Sequence, residues 1–316
     1  MKCLEKIVRR VVRAGLPVAV LAFATPTLAQ DLNVGSMVWD TSNPFYVNFI
    51  KGQRDAAAKL GVNLDVQNGA SRLETQVAVV QQFIAQKKNL IIVVPGDAQG
   101  IVPVVKEAAA AGIPVIAANN AVAEGGKVVT FIGSSNEIFG KLQCELLIRA
   151  IGTKGNVGYI LGALGTDPQV NREKGFMKCL SAYPDIKVVA KQTANWDNAQ
   201  ALAIAQDWLN KYPKGELAAI VDQGPEGVTG AQNAVQMGRH DVKFVLGNYP
   251  ATVQKAITDD VVFGTIVEDP YNQGYLSVQY AAAWLKGEQD KVDRPTHFMN
   301  NPVVTKENAA TIPPEM

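Results

Sequence analysis

Histidine is almost missing from this chain: only His240 and His297 occur in 316 residues. With three cysteines besides, and no His or Cys spacing that fits a ligand set, neither a metal centre nor a cofactor is expected. Charge of one sign is missing too, since 30 basic residues stand against 29 acidic ones. A balanced chain without basic clusters in its body argues against nucleic acid as a partner. The sequence has no G-x-S-x-G elbow, no H-E-x-x-H and no Walker A loop. Beyond the first thirty residues, no apolar run approaches the ~20 residues needed to span a bilayer.

What is present begins with a leader. Lys2, Lys6, Arg9, Arg10 and Arg13 form a basic stretch, an apolar run follows from Ala14 to Ala24, and small residues Thr27 and Ala29 precede Gln30. That layout is read as a secretory signal peptide over residues 1–29, cleaved after Ala29, which places the protein in the periplasm. The run is too short for an anchor, and Pro17 interrupts it. Cleavage changes the formal charge from +1 to −3, because five basic groups and one acidic group leave. Cys144 and Cys179 remain. They either pair in an oxidising compartment or sit as two thiols that never meet.

The body alternates strand and helix. Ten short apolar runs, from Leu32–Val38 to Phe263–Val267, read as strands of parallel sheets covered on both faces. Asn43-Pro44 starts a helix that Gly61 ends, and Ser71-Arg72-Leu73-Glu74 reads as a capping box. Ten strands exceed one comfortable sheet. The fold expected is therefore α/β, with two Rossmann-like lobes joined by a three-crossing hinge near 132–134, 268–270 and 298–304. The lobes are taken as 30–132 plus 269–298, and 133–268 plus 299–316. Ligands in such sheets bind beyond the carboxyl ends of strands, which places the site in the cleft.

Two glycine-rich stretches test the enzyme readings. Gly152-Thr-Lys-Gly155-Asn-Val-Gly158 precedes a strand, whereas a phosphate loop must follow one, so it reads as a helix-to-strand turn. Gly224-Pro225-Glu226-Gly227 follows a strand, but proline lacks an N–H, and the stretch reads as a helix start. Asp222 and Glu268 fall at strand ends, where two carboxylates serve glycoside hydrolysis or accept hydroxyl hydrogen bonds. Without an acid-partner context, binding is the reading adopted.

Asn43-Pro44-Phe45-Tyr46, Val94-Pro95-Gly96-Asp97, Ala111-Gly112-Ile113-Pro114-Val115-Ile116, Asn171-Arg172-Glu173-Lys174-Gly175-Phe176 and Gly264-Thr265-Ile266 occur in that order between Asn33 and Lys286. In this order they resemble the periplasmic sugar-binding proteins of the ribose-binding type. The resemblance implies a type I periplasmic-binding-protein fold that closes around a small polyhydroxylated solute. It further implies delivery to the transmembrane permease of an ABC transporter with a separate ATPase subunit, by a monomeric protein that is not an enzyme. The rival role is a periplasmic ligand-sensing partner of a membrane kinase or chemoreceptor. Phe45, Tyr46 and Trp196 match aromatics that lie against the sugar faces, where apolar C–H surface packs on a π-face. Asn43, Arg172, Asn248 and Glu268 match its hydrogen-bonding positions.

Departures from the pattern bear on the ligand. Asn119-Asn120 stand where the group carries an Asp-Arg pair, Asn248 where it has aspartate, and Glu268 where it has glutamine. Gly224 replaces an asparagine, for which Asp222 or Gln223 is the candidate substitute. Trp39 and Asp40 add an aromatic and an acid to the first strand-to-helix loop. Ribose itself is therefore not the expected ligand; a different pentose, a sugar alcohol, another compact polyol or an amine-bearing solute is.

Overall fold

The structure, a computed structural model, describes residues 32–315; the leader and its cleavage point lie outside the described residues. Two six-stranded sheets organise the chain. The first holds β1 (Leu32–Val38), β2 (Val62–Asn68), β3 (Leu90–Val93), β4 (Val115–Ala118), β5 (Phe131–Gly133) and β11 (Thr296–Phe298), in the order β11-β5-β4-β3-β1-β2. The second holds β6 (Gly155–Leu161), β7 (Ile186–Thr193), β8 (Ala219–Asp222), β9 (Lys243–Val245), β10 (Gly264–Ile266) and β12 (Val303–Thr305), in the order β12-β10-β9-β8-β6-β7. Every pairing is parallel except that of β10 with β12.

Burial follows position in the sheet. The central strands β3, β4 and β8 are buried at every residue, as helices on both faces require. The edge strands β2 and β7 carry exposed residues along their length. Helices α1 (Pro44–Leu60), α2 (Leu73–Ala85), α3 (Val102–Ala110) and α9 (Pro270–Leu285) cover the first sheet. The second is covered by α4 (Asn136–Ile151), α5 (Asp167–Leu180), α6 (Asn198–Lys211), α7 (Val228–Gln236) and α8 (Ala251–Thr258). The two-lobed α/β fold is thus borne out, with two strands more than the ten apolar runs.

Local signals held unevenly. The Asn43 side chain accepts from the Phe45 N–H, Pro44 opens α1, and Gly61 closes it in the left-handed region at φ 69°. The capping box at Ser71 does not form: α2 starts after Arg72, without a side-chain cap. Ser71 sits at φ 56° and donates its hydroxyl to Asp40 at 3.1 Å. That loop contact takes the cap's oxygen away from the helix.

In each lobe one helix pair packs backbone to backbone. A Cβ on Gly52 of α1 would stand 2.0 Å from the Tyr271 carbonyl of α9, and one on Gly140 of α4 would stand 1.9 Å from the Arg172 carbonyl of α5. The second pair carries Arg172 toward the cleft. It is also stapled, because Cys144 of α4 and Cys179 of α5 form a disulfide, which decides between the two states left open by their spacing.

The chain passes between the sheets three times: from β5 to α4, from β10 to α9, and from β11 to β12. Asn301 on the last passage donates to Ser134 Oγ on the first at 2.8 Å and to the Val267 carbonyl on the second at 2.9 Å. Glu315 adds a clamp, accepting from the backbone N–H groups of Tyr249, Glu268 and Asp269 at 2.6, 2.6 and 2.7 Å. Burial nevertheless pushes its carboxyl up to about 7.

Candidate functional site: the cleft between the lobes

Between the lobes lies a cavity of about 580 Å³, built from the carboxyl ends of strands and the starts of the following helices. The first lobe contributes Trp39, Asn43, Phe45, Tyr46, Asn119 and Asn120. The second contributes Arg172, Trp196, Glu226 and Asn248, and the hinge contributes Glu268. The lobes meet here: Trp196 and Ala163 of the second pack against the apolar core of the first, alongside Phe45.

Aromatic rings shape the first-lobe wall. Tyr46 lies edge-on to Trp39 and Phe45, with centroids 5.9 and 5.2 Å away. Opposite, the Trp196 ring covers Gly162 and Gly224. A Cβ on Gly162 would stand 1.8 Å from the indole, and one on Gly224 would stand 3.0 Å from it. Trp196 adopts φ 60°, and Asn119, Asn248 and the hinge residue Asp269 lie at 59°, 58° and 59°. Left-handed backbone outside glycine costs energy, and it gathers at this site, as strain does where function fixes geometry.

Glu268 is the hub of the polar groups. Its Oε2 accepts from Arg172 Nη2 at 2.6 Å and from Asn248 Nδ2 at 2.8 Å, while Oε1 accepts from Asn119 Nδ2 at 3.0 Å. Asn119 also donates to Gln273 and accepts from the Tyr46 hydroxyl at 2.9 Å, so its amide is fully engaged. Arg172 is 2% exposed. It donates further to Asn136 Oδ1 and the Gln223 carbonyl, and its guanidinium lies 3.8 Å from the Phe139 ring centre. A buried ion pair needs this density of hydrogen bonds to offset its desolvation. Asn119 and Glu268, each a departure from the ribose-type pattern, turn out to be bonded to one another.

Three of the residues singled out in the sequence, Asp222, Asp40 and Gln223, do not line the cavity. Asp222 is 1% exposed behind the wall. Its Oδ1 accepts from the Gly224 N–H at 3.0 Å, while burial and the neighbouring Glu226 charge push its carboxyl well above the usual range. Asp40 turns into its own loop, accepting from the Ser42 N–H, the Ser42 hydroxyl and the Ser71 hydroxyl. The weighed carboxylate pair is likewise absent, because both Glu268 oxygens are committed to Arg172, Asn248 and Asn119. Gln223 also serves structure: its side chain accepts from the Gly162 N–H and donates to Tyr159.

Glu226 was missed in the sequence. It lies in the Gly224–Gly227 loop before α7, and burial raises its carboxyl to about 7. The loop reads as a helix start, which it is, and only proximity to Trp196 and Asp222 marks the glutamate. Among the described residues no cluster of His, Cys, Asp and Glu could hold a metal.

Comparison with known proteins agrees with this geometry. Residues 34–289 match the family described as the periplasmic binding protein domain; the chain belongs to that family. The ribose import binding protein of Escherichia coli (strain K12) is 29% identical over 269 residues, covering 85% of this chain and 89% of that protein. The xylitol-binding protein of Mycolicibacterium smegmatis is 29% identical over 276 residues, covering 87% and 77%. An ABC transporter solute-binding protein from Agrobacterium vitis, solved with α-D-tagatopyranose, superposes with TM-score 0.79 at 26% identity, covering 88% of this chain and 96% of that one. One from Actinobacillus succinogenes, solved with D-allose, gives 0.80 at 26%, covering 88% and 99%.

Proposed function

We propose that this chain is the solute-binding subunit of an ABC importer and that it carries a small sugar or sugar alcohol. The observation that supports this most is the cavity itself. Phe45 and Trp196, from opposite lobes, offer apolar faces, and between them Arg172, Asn120, Glu226, Asn248 and Glu268 offer polar atoms. A compact polyol has that division of surface, apolar on its C–H faces and polar at its rim. Relatives named for ribose and xylitol, or solved with tagatose and allose, bind solutes of this kind.

The solute binds Asn43, Phe45, Tyr46 and Asn120 on the lobe formed by 30–132 and 269–298, where Asn119 holds Tyr46 and Glu268 in place. It then closes the hinge onto Arg172, Trp196 and Asn248 on the lobe formed by 133–268 and 299–316. Closure is selected because only the closed state offers both sets of contacts. The chain acts as a monomer, exported by its leader to the periplasm. The transmembrane permease reads the closed surface, its ATPase subunit being a separate chain, and the solute leaves unchanged.

A thermal-shift panel of pentoses, hexoses, polyols and amino sugars tests this. Solute at about 100 times its Kd adds roughly 2.7 kcal/mol, expected to raise the melting midpoint by several degrees. A panel in which no sugar or polyol moves it would refute the ligand class.

A further inference from the structure

The polar atoms around the cavity are mostly spent on one another. Asn119 has no free amide group, and Glu268 already holds Arg172, Asn248 and Asn119. Two buried acceptors on the cavity wall have no partner: Asn120 Oδ1 from the first lobe and Glu226 Oε2 from the second. Buried polar atoms left unpaired are costly, so a partner that supplies donors to both is strongly favoured.

Glu226 is placed for this by its loop. Gly224 has no side chain, and a Cβ there would stand 2.0 Å from Glu226 Oε2. The carboxyl therefore lies over Gly224, the position that also touches the Trp196 ring. Glu226 is 7% exposed, and no ion pair to it forms among the described residues, Arg172 being bound to Glu268.

We propose that Glu226 is a specificity-determining residue of this cavity, its carboxylate accepting a hydrogen bond from a ligand hydroxyl seated against Trp196. The proposal rests on the polyol reading of the cleft and assigns Glu226 a role within it. A charged acceptor binds a donor more strongly than a neutral one, so the ionised carboxylate is the binding form. Burial raises the Glu226 carboxyl to about 7, with the Arg172 charge lowering it and Asp197 raising it. The charged groups around it are thus Arg172 on α5, Asp197 before α6, Asp222 at the end of β8 and Glu268 after β10. Neither histidine lines this cavity: His297 contacts Tyr280 and Asp293, and His240 lines a separate pocket beside Lys243.

The test is titration calorimetry from pH 5.5 to 8.5, using the panel solute with the largest melting shift. Affinity of the wild type is expected to tighten about tenfold with a midpoint near 7, as the loss of a hydrogen bond to a charged group implies. Glu226→Gln is expected to bind about tenfold more weakly at pH 8.5 and to show no midpoint. Glu315→Gln, which removes the other carboxyl raised to about 7, is expected to keep the slope. At pH 6, wild-type binding in two buffers of different ionisation enthalpy is expected to show proton release, a readout that needs no variant. Equal affinity of wild type and Glu226→Gln at pH 8.5, or affinity that falls with rising pH, would overturn the proposal alone. No binding by any panel solute would remove the polyol reading and this proposal with it.

Discussion

On the first-lobe side of the cleft, Tyr46 and Asn119 satisfy each other, aromatic rings brace one another edge to face, and no charged side chain lines the wall. On the second-lobe side stand Arg172, Glu226 and, at the hinge, Glu268, with the disulfide locking α4 to α5 behind them. One wall is neutral and, apart from Asn120 Oδ1, bonded within itself; the other keeps an ion pair and an unpartnered acid. On the proposed reading this contrast is a division of labour, in which the first wall presents a fixed surface and the second supplies discrimination. Glu268 ties the two together, because its carboxylate holds a second-lobe arginine with one oxygen and a first-lobe asparagine with the other.

The comparison breaks most severely at Arg172. Removing one partner of a buried pair strands the other charge, so Arg172→Ala is expected to cost about 3–5 kcal/mol of stability. Solute binding should be lost with it, and melting and titration together measure both. Next comes the staple: reducing Cys144–Cys179, or replacing both cysteines by serine, opens a cross-link spanning 35 residues. That should cost roughly 3–4 kcal/mol, read from denaturant unfolding with and without reductant.

Glu226 sharpens the contrast through pH. Its carboxyl titrates near 4.5 unperturbed and about 7 here, so the native protein takes up a proton between those values. Its stabilising share is complete below 4.5 and is lost as pH rises through 7. Glu226→Gln is therefore expected to stabilise the ligand-free protein by up to about 3 kcal/mol at pH 8 and not at all at pH 4.5. Melting midpoints across that range measure it. The smallest effect is expected from Asn119→Ala, about 1–3 kcal/mol from the unpaired Tyr46 hydroxyl and Glu268 oxygen, by the same melts.

The fold was legible because its signals are local. Runs such as Leu90–Val93 and caps such as Asn43-Pro44 and Gly61 act over a few residues, and the order of elements does the rest. Part of the cavity lining was legible for a related reason, since Asn43, Phe45, Tyr46, Asn119, Trp196, Asn248 and Glu268 all follow strand ends, whereas Asn198, Thr229, Gln232 and Thr252 line it without having been singled out. What was not legible depends on contacts across the chain. Ser71 loses its capping role to Asp40, which lies 31 residues away. Cys144 and Cys179 pair because α4 and α5 approach at Gly140, which spacing alone does not reveal. Asp222 and Glu226, four residues apart, differ in the same way: the strand-end aspartate singled out in the sequence is walled in, and the glutamate of the glycine loop, given no role there, lines the cavity.

The most direct test of the account is a crystal structure of the protein with the panel solute that raises its melting midpoint most. The expected result is a polyol between Phe45 and Trp196, donating to Asn120 on one lobe and Glu226 on the other, with the Arg172–Glu268 pair intact beside it. A solute bound outside this cleft, or held by one lobe alone in a closed molecule, would contradict it.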